Sequence, residues 1–170
     1  DGEGFVRSLR TRGIDPAGHS ALVVGCGGVG SAIAASLAAA GVDRLALYDI
    51  DMAACQRLAA RLAHHYPALR VAPGQNDPAG FDVVVNATSL GMKAGDPMPM
   101  DVNRISPDAF VGEVVLKAEI TPFLAAVKAR GCRYQVGTDM LFEQIPAYLS
   151  WFGLPTTDAA TLRRLARIAY

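Results

Sequence analysis

The chain has no surplus of charge. Sixteen Lys and Arg face 16 Asp and Glu, so nothing in its electrostatics favours a nucleic acid or an anionic membrane surface. It is also poor in cysteine: Cys26, Cys55 and Cys132 are an odd set with no C-x-x-C spacing, which argues against a disulfide framework or a zinc site and for small reduced core residues. Histidine is equally scarce. His64 and His65 are neighbours that cannot share a helix face and His19 precedes the first strand, so helix-end caps suit them better than metal ligation. Long apolar runs are missing too, each being interrupted within about ten residues, too few to span a bilayer. The acidic, glycine-rich start lacks a signal-peptide pattern, and no repeat or low-complexity segment occurs. These absences lead to the expectation of a cytoplasmic protein with no nucleic-acid, membrane or metal partner.

What is present is apolar residue content of 51% in 170 residues, enough for the core of one domain. The most informative segment runs from residue 20 to 49. A short apolar strand, Ser20 to Val24, leads into Gly25-Cys-Gly-Gly-Val-Gly30, then a helix of small residues and a second strand, Leu45 to Tyr48, closed by Asp49. Strand, glycine loop, helix and acid in this order form a dinucleotide-binding βαβ pattern. Gly25 would turn the chain off the strand, Gly27 would let backbone approach a pyrophosphate, and Gly30 would let the helix pack on the sheet. Gly28 adds another position without a side chain, and the N–H groups of the helix start attract phosphate oxygens. A tight turn without a ligand is the plainer alternative. Asp49 suits an adenosine ribose, whose two hydroxyls a carboxylate can accept from. A 2′-phosphate would meet like charge there, and the neighbouring Ile50, Asp51 and Met52 supply no cation, while Arg57 and Arg61 lie further along the helix. The expected cofactor is therefore NAD rather than NADP, although NADP stays possible. Asp51 is the better candidate for a helix cap.

Strand and helix periods alternate along the rest of the chain. Helices are expected at 4 to 12, 31 to 40, 52 to 65 and 122 to 130, with a closing pair at Met140 to Phe152 and Asp158 to Ala169. Strands are expected near Leu69 to Ala72, Phe81 to Asn86, Val111 to Leu116 and Arg133 to Val136. Such alternation predicts an α/β fold, a Rossmann-type doubly wound parallel sheet in three layers, α/β/α. Ligands on such sheets bind beyond the carboxyl ends of the strands. Asn86-Ala-Thr-Ser-Leu-Gly-Met92 leaves strand four there, with Ala87, Thr88 and Ser89 suited to backbone contact with a cofactor, or else to a turn and helix cap.

These motifs together resemble the shikimate and quinate dehydrogenases. Asp1-Gly-Glu-Gly-Phe5 is similar to the end of that family's Asn-Thr-Asp-Gly motif. Gly25 to Gly30 resembles its glycine loop, and residues 86 to 92 its segment after strand four. Glu119-Ile-Thr-Pro-Phe-Leu124 resembles its Glu-Thr-Pro-Leu-Leu segment, and Gly137-Thr-Asp-Met-Leu-Phe-Glu-Gln144 its Gly-x-x-Met-Leu-x-x-Gln helix start. The resemblance covers essentially the whole chain. It implies a reversible hydride transfer between a nicotinamide and a ring hydroxyl of a cyclic hydroxy acid: shikimate, quinate or an analogue.

By this resemblance Asp1 is the catalytic and substrate-binding aspartate and Gln144 a substrate contact, or else a polar residue on the solvated face of its helix; Lys117, by its place at the end of strand five, is a further substrate-binding candidate, or else a solvated surface charge. The cofactor would lie against Gly25, Cys26, Gly27, Gly28, Val29, Gly30, Asp49, Ala87, Thr88 and Ser89, with Val114, Gly137 and Met140 near the nicotinamide. The family's catalytic Lys belongs to an N-terminal substrate domain with no counterpart in residues 1–170, so the chain is expected to be a cofactor-binding half that binds dinucleotide without turning over alone. Two departures stand out. Leu116 and Lys117 replace the family's Tyr and Asn before the Thr-Pro, with Lys117 expected at the end of strand five, and Asp49 stands where NADP-using members carry an Asn-Arg-Thr type motif. A non-catalytic NAD-binding module and another Rossmann enzyme, such as a methyltransferase, are the rival readings.

Overall fold

Six short strands pair into one parallel sheet in the order β3-β2-β1-β4-β5-β6. The structure is a computed structural model that describes residues 1–168 and residue 170. The strands are β1 (Ser20–Val24), β2 (Arg44–Tyr48), β3 (Arg70–Pro73), β4 (Val83–Asn86), β5 (Phe110–Glu113) and β6 (Arg133–Gln135). The helices are α1 (Gly2–Thr11), α2 (Gly28–Ala39), α3 (Met52–His65), α4 (Pro122–Ala129), α5 (Gly137–Trp151) and α6 (Ala159–Leu165), with one 3₁₀ turn at Val102–Arg104. β1, β4 and β5 are central and nearly all apolar, as strands covered on both faces must be.

Two apolar layers flank the sheet. On one face Phe5 and Leu9 of α1, Ile33 and Leu37 of α2 and Leu58 and Leu62 of α3 pack over Ala21, Val23, Leu45 and Val85. On the other, Ile105 and α4, through Phe123, Leu124 and Val127, cover Leu22, Val84 and Val111. The expected three-layer Rossmann-type arrangement is what forms, and chain order reverses between β1 and β4. That switch point opens a crevice at the carboxyl ends of the strands. Among the described residues, no helix is long and apolar enough to cross a membrane, and no group of three His, Cys, Asp or Glu could hold a metal ion.

Several boundaries differ from the expectation, each for a local reason. α2 starts at Gly28 rather than residue 31, because the last glycines of the loop already belong to its first turn. β5 stops at Glu113 rather than Leu116: its register partners end at Asn86 and Gln135, so the apolar residues 114 to 116 have no strand to continue against. Lys117 therefore lies beyond the strand end, exposed in the loop that leads to α4. α5 starts at Gly137, three residues before Met140, since the Asp139 carboxylate accepts from the Val136 N–H at 3.0 Å and closes the first turn. α6 is capped by Asp158, which accepts from Thr161 N–H at 2.7 Å, and ends at Leu165. Ala169, the expected end of that helix, lies outside the described residues.

Candidate functional site

The glycine loop is shaped by close approaches that side chains would prevent. Gly25 has φ +103°, the left-handed region, and a Cβ there would lie 2.7 Å from the Ala87 carbonyl. Gly30 presses on the loop from inside, where a Cβ would sit 1.8 Å from the Gly25 oxygen. At Gly27 and Gly28 the situation is reversed: an added Cβ would meet no protein atom within 4 Å. These two glycines thus form an open crest over the start of α2, where Gly28, Val29 and Gly30 have no intrahelical acceptor for their N–H groups. No acidic side chain occupies that first turn. An open backbone crest, unpaired donors and a helix dipole make a receptor for phosphate oxygens.

Asp49 stands beside the crest. Its Oδ2 accepts from Cys26 N–H at 2.7 Å and its Oδ1 from Asp51 N–H at 3.0 Å. The carboxylate therefore ties the loop to the end of β2, and each oxygen keeps a further acceptor direction for a ribose hydroxyl. Asp51 caps α3 through Ala54 N–H at 3.1 Å and lies 3.7 Å from Arg57, which keeps that cation on its own carboxylate. Cys26 plays a different part from its neighbours. Its N–H is taken by Asp49 and its thiol turns inward, 3.3 Å from the Cys55 sulfur, so it supports the crest from below. Burial pushes the Cys26 thiol far up, out of the range where it would ionise. All three cysteines are buried and free, as expected.

Opposite the crest, the residues after β4 are held by their own side chains. Asn86 Oδ1 accepts from Thr88 N–H at 3.1 Å and from its hydroxyl at 2.7 Å, and Leu90 N–H donates to Thr88 Oγ1 at 3.0 Å. This rigid turn and the glycine loop enclose a cleft of about 420 Å³, lined among others by Gly25, Gly27, Asp49, Ala87, Thr88 and Ser89. No Lys or Arg is among the residues lining it. The sequence reading missed Ile50 and Asn76 here; Ile50 is 94% exposed at the lip of the cleft, an apolar residue with no partner in the fold.

A second, smaller cleft of about 290 Å³ lies between α1, α2 and α5. Asp1 and Gln144 meet in it, together with Tyr148, which the sequence reading did not select. Tyr148 follows Gln144 by one helical turn, the spacing that would have revealed it. Gly137 and Met140 are buried at the start of α5, and Val114 is half-buried at the end of β5, its N–H donating to the Asn86 carbonyl at 3.2 Å. Lys117 lines neither cleft. A larger concavity, about 850 Å³, is elsewhere: it runs along the β6 edge past Arg12, Asp139 and Arg163 and contains neither the glycine loop nor Asp1 and Gln144. The two smaller clefts hold Asp1 and Gln144 in one, and Asp49 beside the open glycine crest in the other.

Known proteins are similar to this chain in sequence and in fold. The ThiF family model matches residues 17–65, the segment from the first strand to the end of α3 and less than half of the chain. Over its whole length the chain is similar to the shikimate dehydrogenase (NADP(+)) of Acidiphilium cryptum, with 37% identity over 98% of this chain and 60% of that protein. Among solved structures it is similar to the quinate dehydrogenase from Corynebacterium glutamicum in complex with NAD, with 32% identity, a TM-score of 0.83 and coverage of 95% of this chain and 59% of the other. It is equally similar in shape to the ligand-free 5-ketofructose reductase of Gluconobacter sp. strain CHM43, with 29% identity, a TM-score of 0.84 and coverage of 96% and 60%. The chain spans about 60% of the length of the relatives it matches.

Proposed function

Because this chain belongs to the shikimate dehydrogenase family, we propose that it is the C-terminal, dinucleotide-binding part of an oxidoreductase that moves a hydride reversibly between a nicotinamide cofactor and a ring hydroxyl of shikimate, quinate or an analogue. The observation that carries this reading is the open crest at Gly27 and Gly28, facing unpaired N–H groups and flanked by Asp49 in one cleft. That arrangement fits a nicotinamide dinucleotide: donors for the pyrophosphate, a carboxylate for the ribose, and the 87–89 turn as the opposite wall. The bound cofactor would supply the hydride acceptor and donor.

The chain's own residues would do the rest by binding and orientation. The α2 start would hold the pyrophosphate, and Val114, Gly137 and Met140, at the ends of β5 and β6, would border the nicotinamide half. Asp1 would take up or return the hydroxyl proton as the hydride leaves or arrives, a role that needs a carboxylate at the reacting oxygen. Gln144 would hold the substrate in the same cleft. A preceding substrate domain would complete the pocket and contribute the partner Lys, and Lys117 would face the substrate from the loop after β5. We assign NAD as the preferred cofactor, on the grounds that Asp49 stands in a cleft without Lys or Arg, although the curated relatives are named for NADP(+). The cytoplasm is the compartment this reading implies.

The test is turnover by the full-length protein carrying this chain, with NAD and NADP and with shikimate and quinate in parallel, followed by absorbance of the reduced cofactor. Turnover of either acid with NAD is the expected result. Binding of NAD without turnover of either acid would overturn the reaction, and faster turnover with NADP would overturn the cofactor preference.

A further inference from the structure

We infer that Tyr148 is a positioning residue of the Asp1–Gln144 cleft: its phenol holds the Gln144 carboxamide so that the Nε2–H₂ group is offered to an oxygen of a polyhydroxylated ligand. The inference rests on the reading of Gln144 as a substrate group and adds to it the orientation and chemistry of the contact.

Gln144 is 7% exposed, and its Oε1 accepts from the Tyr148 hydroxyl at 3.1 Å. Its Nε2 is buried without an acceptor among the described residues. A buried amide donor left unpaired is costly, and Gln144, unlike the equally unpaired Gln135, lines the cleft that holds Asp1, where a ligand can supply the acceptor. The stem of Gln144 cannot swing away, because α1 sits directly on it: a Cβ on Gly4 would lie 2.6 Å from Gln144 Cγ and 2.8 Å from the Met140 carbonyl. What remains free is rotation of the terminal amide. Tyr148, one turn along α5, decides it by donating to Oε1, which turns Nε2 to the other side.

Tyr148 itself has no packing reason to be where it is. It is 48% exposed and absent from both apolar layers. It lines the cleft of about 290 Å³ that also holds Asp1 and Gln144. Arg7 and Glu3 also line the cleft but are engaged with each other at 3.0 Å, and Glu143 is engaged by Arg163 at 3.1 Å. The groups left to a ligand are therefore the Gln144 amide donor and the Asp1 carboxylate rather than a cationic clamp. A ring bearing several hydroxyls matches it, since a hydroxyl can accept from Nε2 while a neighbouring one donates to the Asp1 carboxylate.

The experiment uses the full-length protein carrying this chain, with Tyr148→Phe, Gln144→Ala and the double variant. Where the wild type turns over shikimate or quinate, Tyr148→Phe is expected to raise KM for the acid about tenfold, the loss of one oriented hydrogen bond. KM for the dinucleotide should stay within about twofold, and in the Gln144→Ala background Tyr148→Phe should have no further effect. An unchanged KM for the acid, or an equal effect in both backgrounds, overturns the inference. Where the wild type turns over neither acid, the proposed reaction fails, and the inference is decided by the Gln144 side-chain amide resonances of ¹⁵N-labelled protein titrated with shikimate, quinate and myo-inositol. Resonances that move with at least one of these ligands in the wild type and not in Tyr148→Phe uphold it; resonances that none of the three moves overturn it.

Discussion

Asn86 and Glu113, paired in register across β4 and β5, are joined side chain to side chain at 2.8 Å, and both are fully buried. The second oxygen of Glu113 accepts from the Thr121 hydroxyl at 2.6 Å, and Thr121 in turn accepts from Leu124 N–H at the start of α4. One carboxylate thus links the turn that walls the cleft beside the glycine loop to the helix that covers the far face of the sheet. Its partners are neutral. Burial pushes the Glu113 carboxyl up from its usual range, and the donations from Thr121 and Asn86 pull it part of the way back.

Removing this carboxylate leaves the Asn86 amide and the Thr121 hydroxyl without their acceptor. Glu113→Ala should lower the unfolding free energy by about 2–4 kcal/mol, read from urea denaturation. Glu113→Gln, which can keep both contacts, should cost less than half as much. Equal losses in the two variants would show that charge, not hydrogen bonding, is what the site needs.

The raised carboxyl also makes stability depend on pH. Because the folded state keeps the Glu113 proton to higher pH than the unfolded chain, stability falls as pH rises from the ordinary value of 4.5 up through the folded value, and the fall is complete above it. Glu113→Gln should flatten that part of the profile of unfolding free energy against pH. An identical slope in both proteins would assign the dependence to other groups.

The two kinds of glycine in the loop should separate in one experiment. Gly30→Ala places a methyl group on the Gly25 carbonyl and should destabilise the fold by about 2 kcal/mol or more. Gly27→Ala meets open space and should change stability by less than about 0.5 kcal/mol, yet weaken NADH binding about tenfold or more by occupying the crest. Thermal denaturation and a fluorescence titration of NADH measure the two effects. Undiminished binding by Gly27→Ala would remove the crest from the cofactor site.

Asp49 has two tasks that substitutions can divide. Asp49→Asn keeps an acceptor for the Cys26 N–H, whereas Asp49→Ala loses it, so only the latter should lower stability, by about 1 kcal/mol. Both should narrow the margin of NADH over NADPH in a fluorescence titration, because both remove the charge a 2′-phosphate would meet. A margin unchanged in both would free the cofactor preference from Asp49.

The features legible in the sequence were those carried by neighbours along the chain. The Ser20–Val24 strand and the Met52–His65 helix end where their own residues end them, the latter between the Asp51 cap and Tyr66. The glycine loop was equally readable, since turn geometry and a helix start are local. Features that depend on contacts across the fold were not. The end of β5 is set by its neighbours Asn86 and Gln135, and the start of α5 by the reach of Asp139 back to Val136. Lys117 follows an apolar run, Val111 to Leu116, that looked like strand to its end, and the short partners of β5 leave it in a loop.

Composition, periodicity and spacing by themselves determined the parallel α/β sheet and the place of the glycine turn, because alternating apolar periods and a glycine run after a strand restrict the backbone before any long-range contact forms. Tertiary structure decided what each polar group does. The Cys26 N–H went to Asp49 and its thiol inward to Cys55, partners brought near by the fold. Glu113, silent in the sequence, became the tie between two walls because the sheet register sets it against Asn86. Gln144 gained an orientation only when α1 closed on its stem and Tyr148 took its oxygen. Hydrogen bonds are directional and short in range, so their partners are fixed only once packing has brought distant segments within about 3 Å.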